Sequence, residues 1–138
     1  MILLDTNVLI YASTEGSPFL EWARRTIAEG VSEDGAAVNA VSLAEICVGD
    51  AEPEIVADRL RSWGVVLLDV PTAAAEPCAK AYQQYRERRR AESGLNAPSL
   101  PLPDFFIGAH AQVMDWPLAT ADEGRFRTYF PSVVLRTP

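Results

Sequence analysis

The chain has 138 residues, 49% hydrophobic and 22% charged, with a formal net charge of −7 and a single lysine, Lys80. That size suits one domain with an ordinary core, expected over residues 1–138. The acidic balance excludes a protein that coats nucleic acid by bulk charge, and no apolar run is long enough to span a bilayer.

The first apolar run, Ile2–Leu4, reads as a strand that meets Asp5-Thr6-Asn7 and then turns apolar again. With no basic leader before Asp5, this start does not read as a secretory signal. Ser17-Pro18 reads as a helix N-cap with proline at the first helical position, and Phe19, Ala23 and Ile27 recur along its apolar face. A short strand at 37–38 precedes a helix carrying Ser42 and Glu45. Glu52-Pro53 opens another helix with Val56, Leu60 and Trp63 on one face and Gly64 at its end. A strand at 65–70 leads to a helix from Thr72 to Arg90, with Pro77 tolerable in its first turn. Residues 93–103 read as a proline-rich loop, after which Asp104 begins a helix; strands at 118–121 and 133–135 follow. Cys47 and Cys78 lie in apolar helical patterns without the spacing of a zinc or redox pair, so they read as buried free thiols of a reducing, cytoplasmic setting. Strands alternating with helices predict an α/β fold, a three-layer α/β/α sandwich around a central, mainly parallel sheet.

Parallel sheets bind their ligands at the carboxyl ends of their strands. Asp5 and Asp122 each close a predicted strand, Glu45 lies one turn into a helix that follows a strand, and Asp104 opens a helix. All four are expected on one edge. Each also has an ordinary explanation: Asp5 stops a strand, Ser42-x-x-Glu45 is a capping box, and Asp104 and Asp122 are N-caps. Asp104 resists this most, because Ile107, Gly108 and Ala111 share its side of an almost wholly apolar helix, and a buried carboxylate needs a compensating charge. No Lys or Arg occurs from Leu95 to Val113, which points to a metal ion. Two carboxylates ~4 Å apart repel by roughly 4 kcal/mol, so four in one pocket require cations. Oxygen ligands favour Mg²⁺ or Mn²⁺, and the chemistry suited to that pocket is phosphodiester hydrolysis. Thr6, Asn7 and Thr120 adjoin these acids and are candidates for orienting ligands or waters.

The blocks "LLDTNVLI", "SLAEI", "PDFFIGAHA" and "TADEGRF", in that order, resemble the PIN-domain ribonucleases, specifically the VapC-type toxins of toxin–antitoxin pairs. The resemblance covers essentially the whole chain. It implies a PIN-like fold, Mg²⁺- or Mn²⁺-dependent endoribonuclease activity on RNA, a homodimer, and inhibition by a cognate antitoxin protein. Asp5, Glu45, Asp104 and Asp122 fall on the metal-binding, catalytic acids of that family. Ala121 stands where many members carry Arg or Asn, so a polar contact common there is missing.

Arg86, Arg88, Arg89 and Arg90 form the one basic concentration, either a solvated helix end or a guide for RNA phosphates. His110, roughly 120° around the helix from Asp104, points away from the acids. Asp69 reads as a cap and Asp115 as solvated. An aspartyl-phosphate enzyme fails on Asn7, where a second Asp is needed, and on the mid-helix place of Lys80. A catalytically inactive PIN-like protein-binding module is the alternative from another class, and the full set of acids argues against it.

Overall fold

The computed structural model describes residues 1–93 and 102–138. In chain order the elements are β1 (Ile2–Leu4), α1 (Thr6–Ala12), α2 (Leu20–Ser32), β2 (Ala36–Asn39), α3 (Ala40–Val48), α4 (Val56–Ser62), β3 (Val66–Leu68), α5 (Ala75–Ser93), α6 (Leu102–Met114), β4 (Leu118–Ala119), α7 (Glu123–Tyr129) and β5 (Leu135–Arg136). Every strand pairing is parallel, in the order β3-β2-β1-β4-β5.

Alternation along the strands makes the layers. Ile2, Leu4, Ala36, Val38 and Ala119 face one side and pack against Val8 and Leu9 of α1, Ala23 and Ile27 of α2, and Val56 and Leu60 of α4. Leu3, Ala37 and Leu118 face the other, under Cys78 of α5, Phe105, Ile107 and Ala109 of α6, and Phe126 of α7. Successive side chains of a strand point to opposite faces, so a strand as short as β1 serves both cores. The three-layer α/β/α architecture is the one expected. Among the described residues no helix is long and apolar enough to cross a membrane.

Two glycines do specific work. Gly64 ends α4 with φ +84°, a conformation that favours glycine over residues bearing a Cβ. Gly108 lets α6 lie directly on the Phe130 ring, which a Cβ at that position would meet at 2.4 Å.

Several boundaries differ from the sequence reading. Helix α2 begins at Leu20 rather than at Pro18. Ser17 Oγ accepts the Phe19 N–H (3.2 Å) and its carbonyl accepts the Leu20 N–H (3.2 Å), so Ser17-Pro18 forms a turn ahead of the helix. Pro53 opens a single 3₁₀ turn before α4, and Thr72–Ala74 another before α5, which leaves Pro77 in the first turn of α5. The last strand is Leu135–Arg136, because the Val133 N–H closes a turn onto Phe130 (3.0 Å). Of the expected proline-rich loop, residues 94–101 lie outside the described residues. Its end is helical: α6 starts at Leu102, so Asp104 occupies the first turn and is not the N-cap. Cys47 and Cys78 are both free thiols, the first half-buried and the second buried.

Candidate active site

The chain runs from β1 outward through β2 and β3, then returns to place β4 on the other side of β1. Strand order reverses there, and in sheets of this kind ligands bind beyond the carboxyl ends of the strands at such a point. Asp5 stands at that point. Its N–H continues the ladder to the Ala119 carbonyl (2.9 Å), and its side chain caps α1 by accepting the Thr6 N–H (2.8 Å).

Its other carboxylate oxygen accepts from the Thr120 hydroxyl (2.7 Å) and the Asn7 amide (3.0 Å). Asn7 in turn accepts the Ala121 N–H (3.2 Å), and Thr120 Oγ1 accepts the Asp122 N–H (2.9 Å). The Thr6 hydroxyl donates to Glu45 (2.8 Å). Thr6, Asn7 and Thr120 thus hold acids by direct hydrogen bonds.

Asp5 is only 3% exposed. Burial pushes its pKa up to about 7; the Thr120 hydroxyl and Thr6 N–H oppose the shift, while the charges of Asp104 and Glu45 add to it. Burial also raises Asp104, against the pull of Arg125 and with a push from Glu45 and Asp122. Asp5 feels Asp104 and Glu45, and Asp104 feels Glu45 and Asp122, so the four acids are linked through Asp104. Among the described residues, no three carboxylate, imidazole or thiol groups converge as ready-made metal ligands.

Asp104 has the cation that the sequence reading did not find for it. Arg125 of α7 donates to its carboxylate and reaches Asp122 at 3.7 Å. The pair joins residues 21 apart, beyond the span of ten residues in which no basic side chain occurs. Asp122 occupies the N-cap position of α7, but its side chain makes no capping bond.

Glu45 is not taken up by a capping box. The N-cap of α3 is Asn39, whose side chain accepts the Ser42 N–H (3.0 Å), while Ser42 Oγ is buried without a partner. With its oxygen so engaged, Asn39 presents its NH₂ to His110 Nδ1 (3.2 Å), which makes that nitrogen the acceptor of a neutral ring. His110 is buried beside Trp116, and burial lowers its pKa. It links α6 to the start of α3 and does not touch the acids.

Arg86, Arg88, Arg89 and Arg90 are exposed near the end of α5. Arg88 pairs with Glu92 (3.1 Å), and Tyr85 stacks near Phe105 (5.5 Å), so this end of α5 lies beside the start of α6. Asp69 and Asp115 are exposed. The residues that sequence reasoning missed are Arg125 and Asn39. Arg125 carried a usable signal, since it lies three residues after Asp122 on a predicted helix.

A parallel α/β sandwich with acids gathered where strand order reverses defines a class of strand-end acidic sites. Residues 2–130 match the PIN domain family, and the chain belongs to it. No curated protein matches it. Among solved structures it is similar to VapBC-1 from nontypeable Haemophilus influenzae (21% identity, TM-score 0.67, covering 99% of this chain and 98% of that one). It is also similar to VapC20 of Mycobacterium tuberculosis, described as a sarcin-ricin loop cleaving toxin (17%, 0.65, 100% and 100%). A third is FitAcB from Neisseria gonorrhoeae (21%, 0.65, 100% and 98%). At these identities the likeness concerns the fold.

Proposed function

We propose that this protein is an Mg²⁺- or Mn²⁺-dependent endoribonuclease, a VapC-type toxin that hydrolyses RNA phosphodiester bonds and is inhibited by a cognate antitoxin. The observation that carries the reading is Asp5: a buried carboxylate at the point of strand reversal, with two further carboxylates raising its pKa. Such a group is costly in an apolar fold and suits a pocket that receives a cation.

The donor types suit a divalent ion, on which the carboxylates would have to close. The donors are carboxylate and hydroxyl oxygens, as hard cations prefer, and a guanidinium already takes the place of a cation on Asp104 and Asp122. Asp5, Glu45 and Asp104 would hold the metal, with Asp122 at the rim. When bound, the ion supplies a water of lowered pKa and neutralises charge on the phosphate and leaving oxygen. Thr120 and Asn7 keep Asp5 fixed, and Thr6 orients Glu45. Arg86, Arg88, Arg89 and Arg90 are candidates for phosphate contacts along the RNA, which at this number would give only a shallow salt dependence.

Support for the antitoxin comes from the VapBC complexes among the similar structures. Half-buried Trp22 and Trp63 and exposed Ile10, Val48 and Ile55 leave apolar surface for an antitoxin helix and for a second copy in a homodimer. The test is cleavage of single-stranded RNA by the purified chain with Mg²⁺, with Mn²⁺ and with EDTA, beside Asp5→Asn. Cleavage is expected only with metal and wild-type Asp5. A wild type that binds partners but cuts no RNA under any metal would return the chain to the inactive-module reading.

A further inference from the structure

We propose that Arg125 is a built-in counter-ion that holds Asp104 and Asp122 in the metal-free protein and competes with the divalent cation for them. The inference rests on the metal-site reading above and adds a regulator to that site. Arg125 comes from α7, which is pinned by the fully buried Phe126 next to it, so the guanidinium is delivered by the fold and not by a loose tail. Its side chain is 30% exposed and that of Asp104 26%, so the pair is shielded on most sides. The neighbouring pair on the same helix, Arg127 with Glu123, is instead an exposed i,i+4 contact on the outer face.

An arginine keeps its proton under ordinary conditions, so the pair opens by movement of the guanidinium and not by loss of its charge. A divalent ion needs the same lone pairs that the guanidinium engages. Both cannot hold Asp104 at full strength, and the apparent metal affinity falls by the fraction of molecules in which Arg125 has swung out. Asp5 and Glu45 lie outside this competition, since Arg125 is a neighbour of Asp104 and Asp122.

The experiment is a titration of the EDTA-stripped full chain with Mn²⁺, free ion being followed by its electron paramagnetic resonance signal. Wild type, Arg125→Gln, Arg125→Lys and the control Arg127→Gln are compared, with circular dichroism confirming the fold of each. Arg125→Gln is expected to bind Mn²⁺ about 5- to 20-fold more tightly, as expected for loss of a partly shielded pair. Arg125→Lys, which keeps the charge but not the planar fork, falls between, and Arg127→Gln stays within about twofold of wild type. Equal affinity in wild type and Arg125→Gln overturns the inference and leaves the metal site standing. So does an equal gain in Arg127→Gln, because bulk charge would then suffice. No Mn²⁺ binding by any of the four removes the metal-site reading itself. If Arg125→Gln fails to fold, the lysine variant decides alone, and wild-type affinity in it overturns the proposal.

Discussion

The two halves of the acidic pocket meet the same electrostatic problem by different means. On the β1 side, Asp5 and Glu45 are held by hydroxyls and amides: Thr6, Asn7 and Thr120 donate to them. On the α6–α7 side, Asp104 and Asp122 share the guanidinium of Arg125. Neutral donors fix a carboxylate in place but leave its charge, whereas a cation offsets the charge but can be exchanged. The first half is therefore fixed in place without a counter-charge, and in the second the charge is partly offset by a group that can be replaced.

The largest effect that tests this difference is on activity. Asp5→Asn and Glu45→Gln should each lower metal-dependent RNA cleavage by about a thousandfold, on the scale of losing a central electrostatic group. Asp122→Asn, at the exposed rim, should cost about tenfold. Initial rates at saturating Mg²⁺ decide, and equal losses in all three would erase the distinction between the halves.

Metal-free stability gives a smaller effect with opposite signs. The Asp5 carboxyl is raised from 3.8 to about 7. The stability tied to its neutral form is thus fully present below the unfolded value and lost as pH rises through about 7. In EDTA at pH 8, Asp5→Asn should raise stability by about 1–2 kcal/mol, a melting shift of several degrees, and the gain should fade toward pH 4. Asp104→Asn should give no such gain, because it strands Arg125. Thermal melts of both variants across pH test the pair.

The smallest effect concerns the link between the halves. Asn39 caps α3, which carries Glu45, and donates to His110 of α6, which carries Asp104. Burial lowers the His110 pKa, so its contribution to stability is present above the unfolded value near 6.5 and declines as pH falls below it. The slope is at most one proton, about 1.4 kcal/mol per pH unit. His110→Gln should flatten that part of the profile in chemical denaturation. An unchanged slope would mean that His110 does not sense its burial.

The part of the first half around Asp5 was readable in the sequence because it is local, whereas its contacts to Glu45 and Thr120 span 39 and 115 residues. Leu4-Asp5-Thr6-Asn7 places a strand end and two donors within four residues, and the alternation of strands with helices sets the edge on which they lie; that Asp5 also caps a helix, α1, was not read from the apolar run after Asn7. In the second half Asp104 and Asp122 were read but their counter-ion was not, because Arg125 meets Asp104 only once β4 has been laid between α6 and α7. A search along the chain near Asp104 passes over a partner that tertiary structure delivers. The cap of α3 was hidden for a related reason. Ser42 and Glu45 satisfy the capping pattern equally well, but the strand register of β2 puts Asn39 at the turn, one step before the helix. The start of α2 was set two residues early because Ser-Pro serves a turn as readily as a helix entry.

Gly108 has a bearing on genetics. Helix α6 touches Phe130 through a residue with no side chain, four positions after Asp104. A Cβ there meets the Phe130 ring, so the ring or the helix must shift, and a shift of the helix carries Asp104 with it without altering an acid or a donor. If expression of this chain arrests growth, suppressors selected for survival should include changes at Gly108, and at Phe130 only as second-site revertants to smaller residues. Alanine, the gentlest of these, is the natural choice for an allele that works at low temperature and fails at high.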